Sequence, residues 1–239
     1  MSIQTKTIDY YDNEVCLQGF LAYNDNQPLP APGILIAHAW GGRNEFVCEK
    51  ARQLAEHGYS AFALDMYGKG ILGDGVEESA QLMQPFIENR AMLQQRINTA
   101  LHTLKQVKQV DAKRVAAIGY CFGGLCVLDL ARTGAELQGI ISFHGLLSPA
   151  DNIDGQNIKA KVLVLHGHDD PMAAPGMVPA LQAELTLAGV DWQLHNYGLT
   201  LHAFTNPIAN DPDFGTVYQP IADRRSWQTA LNFLSEVLD

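Results

Sequence analysis

The chain opens with two runs of β-branched and aromatic residues, Thr5 to Tyr10 and Val15 to Tyr23, separated by the turn formers Asp12-Asn13. That pattern predicts an antiparallel hairpin. After a loop holding Pro28, Pro30 and Pro32, the continuous apolar run Gly33-Ile34-Leu35-Ile36-Ala37 predicts a buried parallel strand, and polarity changes abruptly beyond it at His38-Ala39-Trp40-Gly41-Gly42. From Asn44 to His57 the apolar positions Phe46, Val47, Ala51, Leu54 and Ala55 recur at helical spacing, with Asn44 placed to cap the start and Gly58 to close the end. A second strand follows at Ser60 to Asp65, then a loop from Met66 to Gly75 containing four glycines. Glu77 to Lys108 is helical in pattern, with Pro85 marking a break or kink.

The same alternation continues to the C-terminus. Strands are predicted at Val115–Ile118, Gly139–Phe143, Val162–Leu165 and Trp192–Tyr197, and helices at Leu125–Arg132, Val178–Ala188 and from about Ile221. Alternating βα units predict a mainly parallel central sheet with helices on both faces, the N-terminal antiparallel hairpin extending one edge, and ligands gathering at the carboxyl ends of the strands.

Composition narrows the picture without changing it. With 239 residues and 47% apolar content, residues 1–239 are expected to form a single α/β domain. A formal net charge of -10 and the lack of any Lys/Arg run argue against nucleic acid or an anionic membrane surface as partner, leaving a small molecule. The four cysteines, Cys16, Cys48, Cys121 and Cys126, show neither a disulfide framework nor zinc-ligand spacing, so no metal is implied. The N-terminal residues hold no basic segment followed by an apolar stretch, and no later run approaches membrane-span length, so a cytoplasmic location is expected. No pattern bears on oligomeric state.

Candidate chemistry centres on Ile118-Gly119-Tyr120-Cys121-Phe122-Gly123-Gly124, where an apolar strand runs into a helix. A sharp strand-to-helix turn forces its central residue into strained geometry, and glycines two before and two after it let neighbouring backbones pass without a Cβ clash. The turn lifts Cys121 above the sheet's carboxyl edge and aims the free N–H groups of the helix at its sulfur, an environment that favours negative charge. Cys126, one helical turn on, is expected in the core. Further along, the acidic pair Asp169-Asp170 and then His202 occupy later strand-end loops, giving the order nucleophile, acid, base. His38, His144, His166 and His168 lie near strand ends as well and are rivals for the base, with hydrogen bonding around the site as their alternative role.

Gly119-Tyr120-Cys121-Phe122-Gly123-Gly124, Leu165-His166-Gly167-His168-Asp169-Asp170-Pro171 and His202-Ala203-Phe204 together resemble the dienelactone hydrolase family, over nearly the whole chain. The resemblance implies an α/β-hydrolase fold and a Cys-Asp-His triad at Cys121, Asp170 and His202. Asp170 is preferred over Asp169 because its spacing from Gly167 matches the acid loop of α/β-hydrolases. The family also implies an oxyanion hole made by the backbone N–H groups of Phe122 and, by position, Trp40, with no metal or organic cofactor.

Two positions depart from the dienelactone-cleaving members: Ala39 stands where they carry a glutamate that contacts the resting cysteine, and Asn206 where they carry an arginine that binds the substrate carboxylate. Arg43, Lys69 and Arg90 are candidate cations to replace that arginine, and Trp40 and Tyr67 candidate walls of an apolar pocket. The expected activity is hydrolysis of a small ester or lactone through a covalent acyl-enzyme. A thioesterase or general carboxylesterase is the nearest alternative, and a redox-sensing or binding protein on the same fold is one from another class.

Overall fold

Successive strand residues face opposite sides of a sheet, and the short apolar strands of this chain use both sides. In the computed structural model, which describes residues 2–239, β3 (Ala31–Ala37) turns Ile34 and Ile36 toward one hydrophobic cluster and Leu35 and Ala37 toward another. The first cluster is completed by Val47, Ala51 and Leu54 of α1 (Glu45–Glu56) and by Phe233 and Leu234 of α6 (Pro220–Leu238). The second is completed by α3 (Arg90–Gln106), α4 (Phe122–Arg132) and α5 (Met177–Leu187), with Phe86 of α2 (Gly75–Glu88). Cys126 is fully buried in it, as expected.

The sheet has eight strands in the order β1-β2-β4-β3-β5-β6-β7-β8. The hairpin β1 (Ile3–Asp12) and β2 (Val15–Asn24) pairs antiparallel and then joins β4 (Ser60–Ala63) antiparallel. From β4 onward every pairing is parallel, through β3, β5 (Val110–Tyr120), β6 (Gly139–Phe143), β7 (Lys161–Gly167) and β8 (Trp192–Tyr197). The carboxyl ends of β3, β5, β6 and β7 therefore lie side by side, and the loops leaving them share one edge.

Three local features differ from the sequence pattern. β5 begins five residues before Val115, because its pairing with β3 shifts register between Pro32 and Gly33 and lets Ala112-Lys113-Arg114 bulge out, leaving Lys113 exposed. Pro85 does not break the long helical segment but sits inside α2. The break falls at Asn89, whose φ of -125° leaves the helical region and whose side chain accepts from the N–H of Met92 to cap α3. Finally, an unanticipated two-stranded ribbon, β9 (Asn210–Asp211) with β10 (Thr216–Val217), interrupts the run between β8 and α6.

Candidate active site

Cys121 sits at the junction of β5 and α4 with φ 55° and ψ -117°, a left-handed conformation that a non-glycine residue adopts only under compulsion. Its N–H donates to the Phe143 carbonyl at 3.0 Å, and its carbonyl accepts from Gly124 at 2.9 Å, which pins both sides of the strained peptide. The flanking glycines are required by close approach. A Cβ on Gly119 would overlap the Gly123 carbonyl, and one on Gly123 would overlap the carbonyls of Ala37 and His38, where β3 crosses beneath the helix start. Phe122 occupies the first helical position, so its N–H has no acceptor within the helix, and neither it nor the N–H of Trp40 meets another acceptor among the described residues.

Trp40 belongs to a loop that is braced from behind. The N–H of Met66 donates to Nε2 of His38 at 3.2 Å, so the proton of that imidazole lies on Nδ1, which donates to the Ala39 carbonyl at 2.6 Å. Burial holds His38 below its usual pKa, in keeping with a neutral ring. Tyr67 adds its hydroxyl to the Trp40 carbonyl at 2.7 Å. Its role is therefore to fix this loop from below.

On the other side, His202 Nδ1 meets Asp170 Oδ2 at 2.7 Å, with both side chains 1% exposed. The second carboxylate oxygen accepts from the Met172 N–H at 2.8 Å, so the acid is held through both oxygens. Asp169 is exposed and only its backbone N–H is engaged, to Thr200 at 3.0 Å. Burial alone would discourage charge on His202, but the Cys121 sulfur and the Asp170 carboxylate outweigh it and push its pKa up to about 10. Nε2 of His202 has no partner of good geometry among the described residues, although the Cys121 sulfur is its strongest favourable electrostatic neighbour.

The backbone of His202 is clamped by the short ribbon: its N–H donates to Gly215 at 3.0 Å and its carbonyl accepts from Val217 at 3.1 Å. Gly215, with φ 84°, packs directly on Pro171 beside the acid. His144, also at positive φ, lies edge-on to His202 with ring centroids 5.1 Å apart and is tied through Nε2 to the Thr205 hydroxyl at 2.8 Å. Burial, reinforced by the charge of His202, pushes His144 well below its usual pKa. It is a neutral neighbour of His202. His166 is buried behind Asp170, and His168 is exposed against Asn196.

These loops enclose a cavity of about 400 Å³ lined by Cys121 and His202 together with Trp40, His144 and Asn206. Its volume falls in the range of small-molecule sites. Asn44 lines it too and makes no side-chain cap on α1, contrary to the helix-capping role expected of it. Of the remaining sequence candidates, Arg43, Tyr67, Lys69 and Arg90 all lie outside the lining. Arg43 donates to the Gln18 carbonyl at 2.6 Å, Lys69 pairs with Asp9 at 2.6 Å on the surface, and Arg90 forms a two-pronged pair with the buried Asp129. Each cation is thus turned away by a carboxylate or carbonyl distant in sequence. The sequence pattern also missed Thr205, Phe214 and Gly215; the turn-like Asp211-Pro212-Asp213-Phe214-Gly215 was the only available signal. Among the described residues no group of three or more His, Cys, Asp or Glu side chains could hold a metal ion, and no helix is long and apolar enough to cross a membrane.

Comparison with known proteins places the chain in a family and agrees with its fold. The profile of the dienelactone hydrolase family matches residues 17–238. The structure of m3DLH superposes with a TM-score of 0.95 at 36% identity, covering 99% of each chain. The dienelactone hydrolase-like promiscuous phosphotriesterase P91, from metagenomic libraries, gives a TM-score of 0.94 at 35% identity and covers 100% of each chain. The carboxymethylenebutenolidase homolog of Rattus norvegicus is 23% identical over 206 residues, covering 83% of this chain and 81% of the relative.

Proposed function

Given that this chain belongs to the dienelactone hydrolase family, we propose that it hydrolyses a small ester or lactone by covalent catalysis at Cys121. The observation that carries this reading is the buried His202–Asp170 pair at 2.7 Å beside a cysteine held at a strained strand-to-helix turn, with Cys121 and His202 opening on one cavity. The proton of the Cys121 thiol passes to His202 Nε2 as the sulfur attacks the carbonyl carbon, a carbon–sulfur bond forms, and the carbonyl π electrons move to oxygen. The N–H groups of Phe122 and Trp40, which lack other acceptors, are the donors for that oxyanion. Collapse expels the alkoxide, which takes the proton from His202 Nε2. The same nitrogen then deprotonates water for attack on the thioester, releasing the acid and restoring the cysteine. Asp170 holds the ring by Nδ1 throughout and stabilises its charged form.

Cys121→Ser is the test: kcat/KM for short aryl esters is expected to fall by at least about 10³-fold, and intact-mass measurement of wild-type protein quenched during turnover is expected to locate an acyl group on Cys121. Unchanged hydrolysis in the variant would sink the assignment. Thioesters and general carboxylic esters would use the same apparatus, and a substrate panel ranks them. A redox-sensing role is disfavoured because a peroxide-sensitive thiol has no use for the Asp170–His202 couple. A second reading, cleavage of a neutral phosphotriester by the same sulfur, is favoured by the full-length similarity to the promiscuous phosphotriesterase, and paraoxon turnover that disappears in Cys121→Ser would support it.

A further inference from the structure

The cavity is unusual in what its wall lacks. Its lining includes no lysine, arginine, aspartate or glutamate, and of its two histidines His144 is held neutral by burial while His202 is paired with Asp170. Asp170 lies behind His202 and is saturated by the imidazole and the Met172 N–H. The three cations that the sequence offered as anion binders are each committed elsewhere, Arg43 to Gln18, Lys69 to Asp9 and Arg90 to Asp129. A carboxylate entering the cavity would lose its hydration without finding a free counter-ion, because the charge of His202 is already paired with Asp170 at 2.7 Å. It would also have to approach a molecule whose net charge of -10 repels anions.

What the wall offers instead is apolar area. Trp40 stacks on Phe214 with ring centroids 5.7 Å apart and planes within 17°, joining the loop after β3 to the loop between β9 and β10. Phe214 is 40% exposed, so this flat pair presents itself at the mouth rather than being consumed by the core. Met83, Leu146 and Met172 also line the cavity, two of them flexible thioethers that adapt to irregular shapes. The polar part of the wall is neutral: Asn206, Thr205 and the imidazole of His144, whose Nδ1 is buried without a partner.

We propose that the substrate of this site is an uncharged ester bearing an aromatic or bulky apolar group that packs against the Trp40–Phe214 pair, and that carboxylate-bearing esters are rejected. This rests on the acyl-transfer reading of Cys121 and adds to it the class of acyl group accepted. It predicts discrimination between acyl groups of equal length that differ only in terminal charge.

The test compares p-nitrophenyl pentanoate with p-nitrophenyl hemisuccinate, whose acyl chains are closely matched in length, in wild type, Asn206→Arg, Phe214→Ala and Cys121→Ser. In wild type the neutral ester is expected to exceed the anionic one in kcat/KM by about 100-fold or more. Asn206→Arg supplies the missing cation and is expected to narrow that ratio by about tenfold, chiefly through KM for the hemisuccinate. Phe214→Ala is expected to slow p-nitrophenyl benzoate several-fold more than p-nitrophenyl acetate. Equal or preferred turnover of the hemisuccinate by wild type, still abolished in Cys121→Ser, overturns the inference and leaves the catalytic reading intact. Turnover of both esters undiminished in Cys121→Ser overturns the catalytic reading beneath it.

Discussion

The nucleophile turn and the histidine loop deliver their side chains to the same cavity by opposite means. Cys121 is shaped chiefly by its immediate neighbours and braced by adjoining strands: a strand ends, a helix begins, Gly119 and Gly123 remove the atoms that would prevent the backbone from folding that tightly, and the Phe143 carbonyl accepts its N–H. His202 belongs to no long element, and its position is imposed by residues distant from it in sequence, Asp170 through the side chain and Gly215 and Val217 through the backbone. Strain is built into the first region and is balanced locally. Precision in the second is borrowed from the loops around it. A nucleophile must hold a conformation it would not choose, whereas a base must be oriented and kept dry, and the two needs call for different construction.

That contrast can be broken by variants of each region. The largest effect is expected from Asp170→Asn, which leaves the shape of the histidine loop but removes the acceptor that fixes the tautomer of His202; kcat should fall by about 10⁴-fold in steady-state ester hydrolysis. A variant retaining a tenth of the wild-type rate would mean that the base is oriented by its backbone clamp alone.

Gly123→Ala places a methyl group against the carbonyls of Ala37 and His38, so it is expected to destabilise the fold by about 1–3 kcal/mol and to lower the thermal midpoint by several degrees. Gly215→Ala, at φ 84°, strains the ribbon that clamps His202 and presses its methyl on Pro171 beside Asp170. Its expected loss is about 1 kcal/mol of stability with about a tenfold drop in kcat. If calorimetry and kinetics instead found the Gly215 variant the less stable of the two, the ribbon would be part of the fold's foundation and not an attachment to it.

The smallest effect is electrostatic. The folded pKa of His202, about 10, lies above the ordinary value of about 6.5, so its charge stabilises the folded chain fully below the ordinary value and the contribution is lost as pH rises through about 10. Cys121→Ser removes the strongest favourable partner of that charge, and the imidazole titration followed by NMR should move down accordingly. A midpoint unmoved by the substitution would show that Asp170 alone sustains the charge on the base.

The same contrast explains what could be read from the amino-acid order. The hairpin, the parallel strands and the Gly-x-Cys-x-Gly turn follow from rules acting over a few residues, and β6 and β8 fall on their predicted residues. The ribbon could not be seen, because two strands of two residues have no period to detect. Pro85 was visible as a helix breaker, but the turn of helix around it is tolerated and Asn89 supplies the real stop with its side chain. Asn44 has the composition of a helix cap and lines the cavity instead. Arg43, Lys69 and Arg90 were plausible anion binders only while Gln18, Asp9 and Asp129 had no location. Charged side chains are assigned by their partners, and partners distant in sequence are invisible until the chain has folded.

The acid and base loops are also tied to each other by main-chain bonds, His168 to Tyr197 at 2.9 Å and Asp169 to Thr200 at 3.0 Å, while Cys121 is bonded to the end of β6. When the native state breathes, residues 168–171 and 200–217 are therefore expected to open as one cooperative unit, carrying Asp170 and His202 away together while the sulfur stays with the sheet. Heat or denaturant would then part the intact Asp170–His202 pair from Cys121 before the sheet itself melts.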